Sequence, residues 1–469
     1  MPRELIFVQV GQCGNQIGMR FWDLALKEHA KAKQSLLYDE SLSSFFRNVN
    51  SKNQELRIGD PIQNLKARAL IVDMEEGVIN QIMKSPLGEL FDEKQCINDV
   101  SGAGNNWAHG FYHYGNQYEK HIEERLRKTV EQCDSLQCFF MTHSIGGGTG
   151  SGLGSRIVGL LEDNYPEVFR FTASVFPSGD DDVVTSPYNS LFSLYELAKH
   201  ADCVFPIDNQ ALINIVDQID KPNKARLVKE NAHEGSVGIK ITQFGEEEKR
   251  QKPFDKMNSL IAHLLSHITC SMRFEGALNV DLNEITMNLV PYPDLHFLIS
   301  SMAPLYSLLD SKLQPRRLDQ MFNDIYHPDF QMITGQPSLH KYLAVGLLVR
   351  GDVAFSDVNR NIKKLKDQLR MIYWNQEGFK YGICNQPPIG QQYSMLCLAN
   401  NTCIKDTFQE MTDRFQKLYK RKVYVHHYKQ YMEQSHFDET LNGIQNLMVK
   451  YQDLEMAQPK KYQRIQPIF

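Results

Sequence analysis

The nine cysteines of this 469-residue chain form no CxxC pair; the closest neighbours are Cys133/Cys138 and Cys397/Cys403. An odd count at such spacings suits free thiols in a reducing compartment. No apolar stretch approaches the length of a membrane span. Leu5 to Val10 runs straight into Gly11 and is too short for the core of a signal peptide. Nor is there a basic surplus: 51 Lys and Arg stand against 56 Asp and Glu, a net charge of −5. Without that surplus to displace phosphate counterions, the chain does not read as a general nucleic-acid binder. Internal repeats and low-complexity tracts are missing too. What remains is an ordinary globular composition, expected in the cytoplasm and without a membrane, long enough for two or three domains with a substantial core.

Four short apolar runs each end in a polar or glycine-rich loop. Glu4 to Val10 (ELIFVQV) leads into Gly11-Gln12-Cys13-Gly14, and a helix is expected from Asn15 to about His29. Ala69 to Val72 precedes Asp73-Met74-Glu75, Leu136 to Thr142 precedes the loop GGGTGSG, and Phe169 to Val175 precedes Phe176-Pro177-Ser178-Gly179. Buried strands alternating with helix-length stretches predict a parallel α/β sheet, and ligands of such sheets bind beyond the carboxyl ends of the strands. The charged stretch at about 220–252 reads as a solvated insertion. Helical periodicity resumes from Phe254 through Leu260, Leu264, Leu265 and Ile268. Residues 296–304 and 341–350 read as strands of a second α/β region. Two amphipathic helices are expected at Thr407 to Lys420 and Phe437 to Tyr451.

The loop Gly146-Gly147-Gly148-Thr149-Gly150-Ser151-Gly152 lies between a strand and a helix. Glycines there let the backbone approach an anion, and exposed N–H groups with the helix dipole favour phosphate. It contains neither GxxxxGK[ST] nor GxGxxG, so neither a Walker lysine nor a dinucleotide fingerprint applies, which disfavours a Rossmann-type dehydrogenase. Gln12 and Gln16 add amides able to bond phosphate or base. Asp73 and Glu75 suit Mg²⁺ held through water, and Gly102-Ala103-Gly104-Asn105-Asn106 can offer amides to a terminal phosphate. The His109/His113 and His263/His267 pairs have i, i+4 spacing but no third ligand in view, and read as structural.

Taken together, VGQCGNQIG (10–18), SGAGNNWAHG (101–110), THSIGGGTGSGLG (142–154), VFPSGDDDVVTSPYNS (175–190), DNQALINI (208–215) and RFEGALNVDLNEITMNLVPYP (273–293) resemble the tubulins, in the family's order. The likeness continues through LHFLISSMAPL (295–305) to FQKLYKRKVYVHHY (415–428). It implies a tubulin-like α/β fold: a GTPase domain with a parallel sheet at 1–210, a core-helix start with the charged insertion at 211–257, an α/β intermediate domain at 258–390, and a C-terminal helical region at 391–469. GTP or GDP with Mg²⁺ are the implied cofactors.

By matching positions, the resemblance implies that Gln12, Cys13 and Gln16 contact the nucleotide and that Asp73 and Glu75 face Mg²⁺. Ala103, Gly104 and Asn105 border the γ-phosphate, and Ser144, Gly146, Gly147, Gly148, Thr149, Gly150, Ser151 and Gly152 cradle the phosphates. Asp182 lies near the ribose, Asn209 and Asn258 read the guanine, and Phe254 takes the place of a base-stacking tyrosine. Glu284, with Asp281, acts on the GTP of a neighbouring subunit across a longitudinal contact. Three departures stand out. Ser186 replaces a glutamate, the insertion around 220–252 lies between elements joined more tightly in the common tubulins, and after Glu455 the tail has no acid but carries Lys460, Lys461 and Arg464. The start of the chain, the SPYNS and DNQALINI runs and the location of the insertion resemble the divergent epsilon class associated with centrosomes, centrioles and basal bodies. The implied partners are other tubulin subunits (delta-tubulin or αβ-tubulin) and centriolar proteins. The alternative is a nucleotide-holding subunit that caps without hydrolysis.

Overall fold

The computed structural model describes residues 3–33, 36–179, 181–219, 254–305 and 317–459. The charged stretch at 220–252 and the basic residues of the tail lie outside them. Strand β1 (Glu4–Val10) is buried along its whole length, as a continuous apolar run in a parallel sheet must be. It passes directly into helix α1 (Gly11–Ala32), so the expected turn before Asn15 is itself the first turn of the helix. The positive φ of Gly11 (+73°) supplies the change of direction. A hairpin of β2 (Phe46–Val49) and β3 (Asn64–Ala67) precedes β4 (Ala69–Asp73), α2 (Glu76–Lys84) and β5 (Cys96–Asn98). Then come α3 (Gly115–Val130), β6 (Leu136–Ser144), α4 (Gly154–Asn164), β7 (Phe169–Phe176), α5 (Ser186–His200) and β8 (Cys203–Asp208).

The six strands β5-β4-β1-β6-β7-β8 pair in parallel throughout. The chain winds outward from β1 through β4 to β5, then returns to β6 and winds the other way. The order therefore reverses between β1 and β6, and the crevice beyond their carboxyl ends is where such sheets bind ligands. The two strongest loops of the sequence leave the sheet at that reversal.

After β8 a helix α6 covers 209–219, and α7 (Asp255–Ile268) packs along α1 with Leu260, Leu264, Leu265 and Ile268 buried. Helix α8 (Leu282–Leu289) follows. A second, mixed sheet has the order β11-β10-β12-β9, built from β9 (Leu298–Ala303), β10 (Tyr342–Gly351), β11 (Phe379–Cys384) and β12 (Tyr393–Asn401). Strand β12 is central to this sheet yet lies past residue 390, and α7 runs through residue 257. Helix α9 (Phe355–Gln368) covers this sheet. The two terminal helices, α10 (Ile404–Tyr419) and α11 (Ser435–Met456), pack on α5 of the first domain.

Candidate nucleotide-binding site

The crevice between β1 and β6 encloses a cavity of about 400 Å³, within the range of small-molecule sites. Its floor is two glycine loops pressed together. A Cβ at Gly11 would stand 3.0 Å from the Gly150 nitrogen. One at Gly148 would stand 2.8 Å from the Asn106 nitrogen and 2.9 Å from the Ala103 methyl. The glycines therefore do more than free the backbone: they let three segments touch. The loop after β6 continues as a helical turn at Thr149–Leu153 and then α4, which points the amides of a helix start at the cavity.

Sixteen of the expected residues line this cavity: Gln12, Cys13, Gln16, Asp73, Glu75, Asn105, Ser144, Gly146, Gly147, Gly148, Thr149, Gly150, Asp182, Asn209, Phe254 and Asn258. Four others are placed differently. Ser151 and Gly152 are buried behind the loop. The Ser151 hydroxyl bonds back to the carbonyls of Gly147 and Gly148, and Gly152 packs against the Trp107 carbonyl, where a Cβ would come within 2.2 Å. Ala103 is buried under Gly148, and Gly104 is exposed in open space with φ +56°. These four shape the loops from behind or at the rim, because a loop packed on both sides can offer only one face to a ligand.

The structure adds residues that motif reading passed over. Leu212, Met257 and Ile261 join Asn209 and Asn258 to make a slot with apolar walls and amide tips. Met257 and Ile261 sit at i, i+4 beside Asn258, a periodicity shared with any core helix and so no signal alone. Phe254 opens α7 in a left-handed conformation (φ +73°) with over half its surface exposed. Such a backbone is an outlier for an aromatic residue and turns its ring toward the cavity mouth. Asp181 also lines the crevice; burial, then the neighbouring Asp182, pushes its carboxyl up, while Ser186 hydrogen-bonds it. Ser186 itself stays behind the wall. His143, fully buried, ties the loop down: Nδ1 lies 2.8 Å from the Gly150 carbonyl and Nε2 2.8 Å from the Ser174 hydroxyl. Burial lowers its pKa to about 4, so the ring is neutral.

Asp73 is 3% exposed, and its Oδ2 has no hydrogen-bond partner among the described residues. Burial pushes its carboxyl up to about 6. A carboxylate that is costly to ionise where it stands, beside Glu75, fits a cation site. Among the described residues no three His, Cys, Asp or Glu side chains converge to cage a metal by themselves. That donor set suits Mg²⁺, which is held by one or two carboxylates plus substrate phosphates. Burial likewise lifts the Cys13 thiol to about 12, so it faces the cavity as a neutral group. Of the histidine pairs, His109 and His113 stack with ring centroids 4.8 Å apart, and His267 bonds the Ser394 hydroxyl at 2.8 Å.

Asp281 and Glu284 lie elsewhere. Asp281 opens α8 and pairs with Arg3, which immediately precedes β1. Glu284 pairs with Lys380 at 2.5 Å. Arg3 marks the amino end of β1 and the crevice its carboxyl end, so a seven-residue strand, about 23 Å long, separates the acids from the cavity.

Parallel doubly wound topology, glycine loops at the strand reversal and a buried acid beside them define an α/β nucleotide-binding protein, in which no lysine among the described residues lines the cavity. Comparison with known proteins gives the class a family. The profile of the Tubulin/FtsZ family GTPase domain matches residues 4–217, and that of the Tubulin C-terminal domain matches 293–413. The chain is 52% identical over 466 residues to "Tubulin epsilon chain" of Mus musculus and 50% identical over 461 residues to that of Homo sapiens, covering 96% of every chain. "Tubulin alpha-3 chain" of Saccharomyces cerevisiae is 34% identical over 470 residues, 96% of this chain and 97% of its own. The chain belongs to the tubulin family, and it is a GTP-binding member of it. Among the described residues no helix is long and apolar enough to cross a membrane.

Proposed function

We propose that this chain is a centriolar and basal-body tubulin that binds guanine nucleotide between β1 and β6 and stacks head to tail on other tubulin subunits. The placement of Asp281 and Glu284 at the end of the sheet opposite the crevice carries this reading. Head-to-tail stacking brings that end of one subunit over the crevice of the next, a heterologous contact that builds filaments. Within the crevice, the loops at Gln12 and Gly146–Gly150 hold the phosphates by their amides. Asn105 borders the terminal phosphate, Asp182 the ribose, and Asn209 and Asn258 the guanine edge, with Phe254 against its face. Asp73 and Glu75 would hold Mg²⁺, which supplies charge neutralisation at the phosphates. Glu284 positions the attacking water at the neighbour's γ-phosphate or takes its proton. The likeness to epsilon chains supports a centrosomal, centriolar role over bulk microtubule building, with delta-tubulin, αβ-tubulin and centriolar proteins as partners. In a mixed polymer, Glu284→Ala is expected to slow GTP turnover at least about a hundredfold; unchanged turnover would sink the hydrolytic reading.

A second reading has its own support. The Lys380 ammonium already engages Glu284 and competes with any water for that carboxylate. A subunit whose acid stays paired holds or caps without hydrolysis. Purified assemblies containing only GTP would favour the cap; GDP accumulating as assembly proceeds would favour turnover.

A further inference from the structure

Asn189, on the first turn of α5, is fully buried behind the crevice wall. Its Nδ2 donates to the carbonyls of Asn105 (2.9 Å) and Gly146 (3.0 Å). Its Oδ1 accepts from the Trp107 amide (2.9 Å) and the Tyr428 hydroxyl (2.6 Å). Those four bonds use every donor and acceptor site of the asparagine side chain. One side chain thus joins the loop after β6, the loop at 101–107 and the segment Val425–Tyr428 that follows α10. Parallel bonds tighten the same seam: Thr185 Oγ1 donates to the Asn105 carbonyl at 2.7 Å, Asn106 Nδ2 to His427 O at 3.2 Å, and the Tyr188 hydroxyl to Val423 O at 2.8 Å.

The two loops meet without slack, since a Cβ at Gly148 would collide with the backbone of Asn105 and Asn106. We propose that Asn189 is a positioning residue that sets the spacing of the two phosphate-facing loops, and that Tyr428 couples this spacing to the C-terminal segment 425–432. The inference rests on the reading above that Asn105 borders the terminal phosphate. A γ-phosphate that engages Asn105 changes the position of 103–106 against Gly146–Gly148, and so moves the Asn105 carbonyl that Asn189 holds. Breaking a buried bond leaves a polar group unpaired, so the tyrosine follows rather than lets go. The coupling is reciprocal: a protein docked on 425–432 alters the preference for GTP over GDP by the factor that nucleotide alters its docking.

Tyr428→Phe removes one hydroxyl and no packing volume. Titrating the full-length protein with GDP and with a non-hydrolysable GTP analogue is expected to give about three- to tenfold weaker binding of the analogue in this variant, with GDP affinity unchanged. Amide exchange of 425–432 is expected to differ between the two nucleotide states in the unsubstituted chain and to become alike in Tyr428→Phe. A variant that melts lower but keeps the ratio of the two affinities would reduce Tyr428 to packing and overturn the proposal. Asn105→Gly, which suits the positive φ there, separates the premises. If it erases the preference for the triphosphate while Tyr428→Phe does not, the coupling fails and the site stands. If it leaves the preference intact, the placement of Asn105 at the terminal phosphate fails, and the coupling with it.

Discussion

Asp73 ends β4 with one carboxylate oxygen buried and without a hydrogen-bond partner among the described residues, and its chemistry follows from that single fact. Burial raises its pKa to about 6, above the usual carboxylate range. In the folded chain without cation, the group therefore keeps its proton to higher pH than in the unfolded chain. Its ionisation lowers stability as pH rises through about 6, by on the order of 3 kcal/mol once complete. Asp73→Asn is accordingly expected to melt higher than the parent at pH 7.5 without nucleotide, and no higher at pH 4. The same substitution is expected to remove most of the gain in nucleotide affinity that Mg²⁺ confers. In the parent chain that gain should shrink as pH falls from 7.5 to 5.5, because cation and proton compete for one carboxylate. Calorimetric titration with and without EDTA at both pH values checks this. A gain that stays constant in the Asn variant would remove Asp73 from the cation site.

The elements meet where glycine allows it. Helix α1 lies so close to β6 that a Cβ at Gly14 would stand 2.2 Å from the Thr142 carbonyl, a backbone atom with no room to retreat. On α4, by contrast, a Cβ at Gly159 meets nothing within 4 Å. Gly14→Ala is therefore expected to lose about 1–3 kcal/mol or more, by forcing the helix off the sheet. Gly159→Ala is expected to gain up to about 1 kcal/mol from helix propensity. Urea unfolding of the pair tests this, and equal effects would contradict the packing argument. This contrast also marks how much was legible beforehand. The strand runs at Glu4, Ala69, Leu136 and Phe169 stand within two residues of their expected bounds, because continuous apolar runs ending in polar or glycine-rich loops leave few alternatives. Which glycine faces a ligand and which faces a neighbouring loop is another matter. Gly150 and Gly152 are two residues apart in one motif, yet one lines the cavity and the other packs on Trp107.

Across the whole molecule, the two sheets are joined by a cluster with no solvent access. Glu28 of α1 bonds Arg273 at 2.8 Å, Arg350 of β10 at 3.0 Å and the Ser266 hydroxyl of α7 at 2.6 Å. Burial pushes the Glu28 carboxyl up. The two guanidinium groups and the serine outweigh it and hold the carboxyl below its usual range. Glu28→Gln leaves two buried cations without the carboxylate they share among the described residues, and is expected to cost about 3–5 kcal/mol in a denaturant melt. Because the cluster ties α1 to β10, the loss should appear in both domains at once. A change confined to one transition would mean that the domains unfold independently.

Local order carried the class of this protein. Apolar runs ending in GQCG, DME and GGGTGSG specify strands, turns and a phosphate-facing backbone through conformational preference alone, and nearest neighbours suffice to read them. Tertiary structure decided the rest, since it depends on contacts between residues far apart in the chain. Asn189 and Tyr428 are 239 positions apart, Arg3 and Asp281 are 278, and Glu28 and Ser266 are 238. No local pattern announces that such residues meet, because each hydrogen bond or ion pair is made only when the sheets and helices between them have packed.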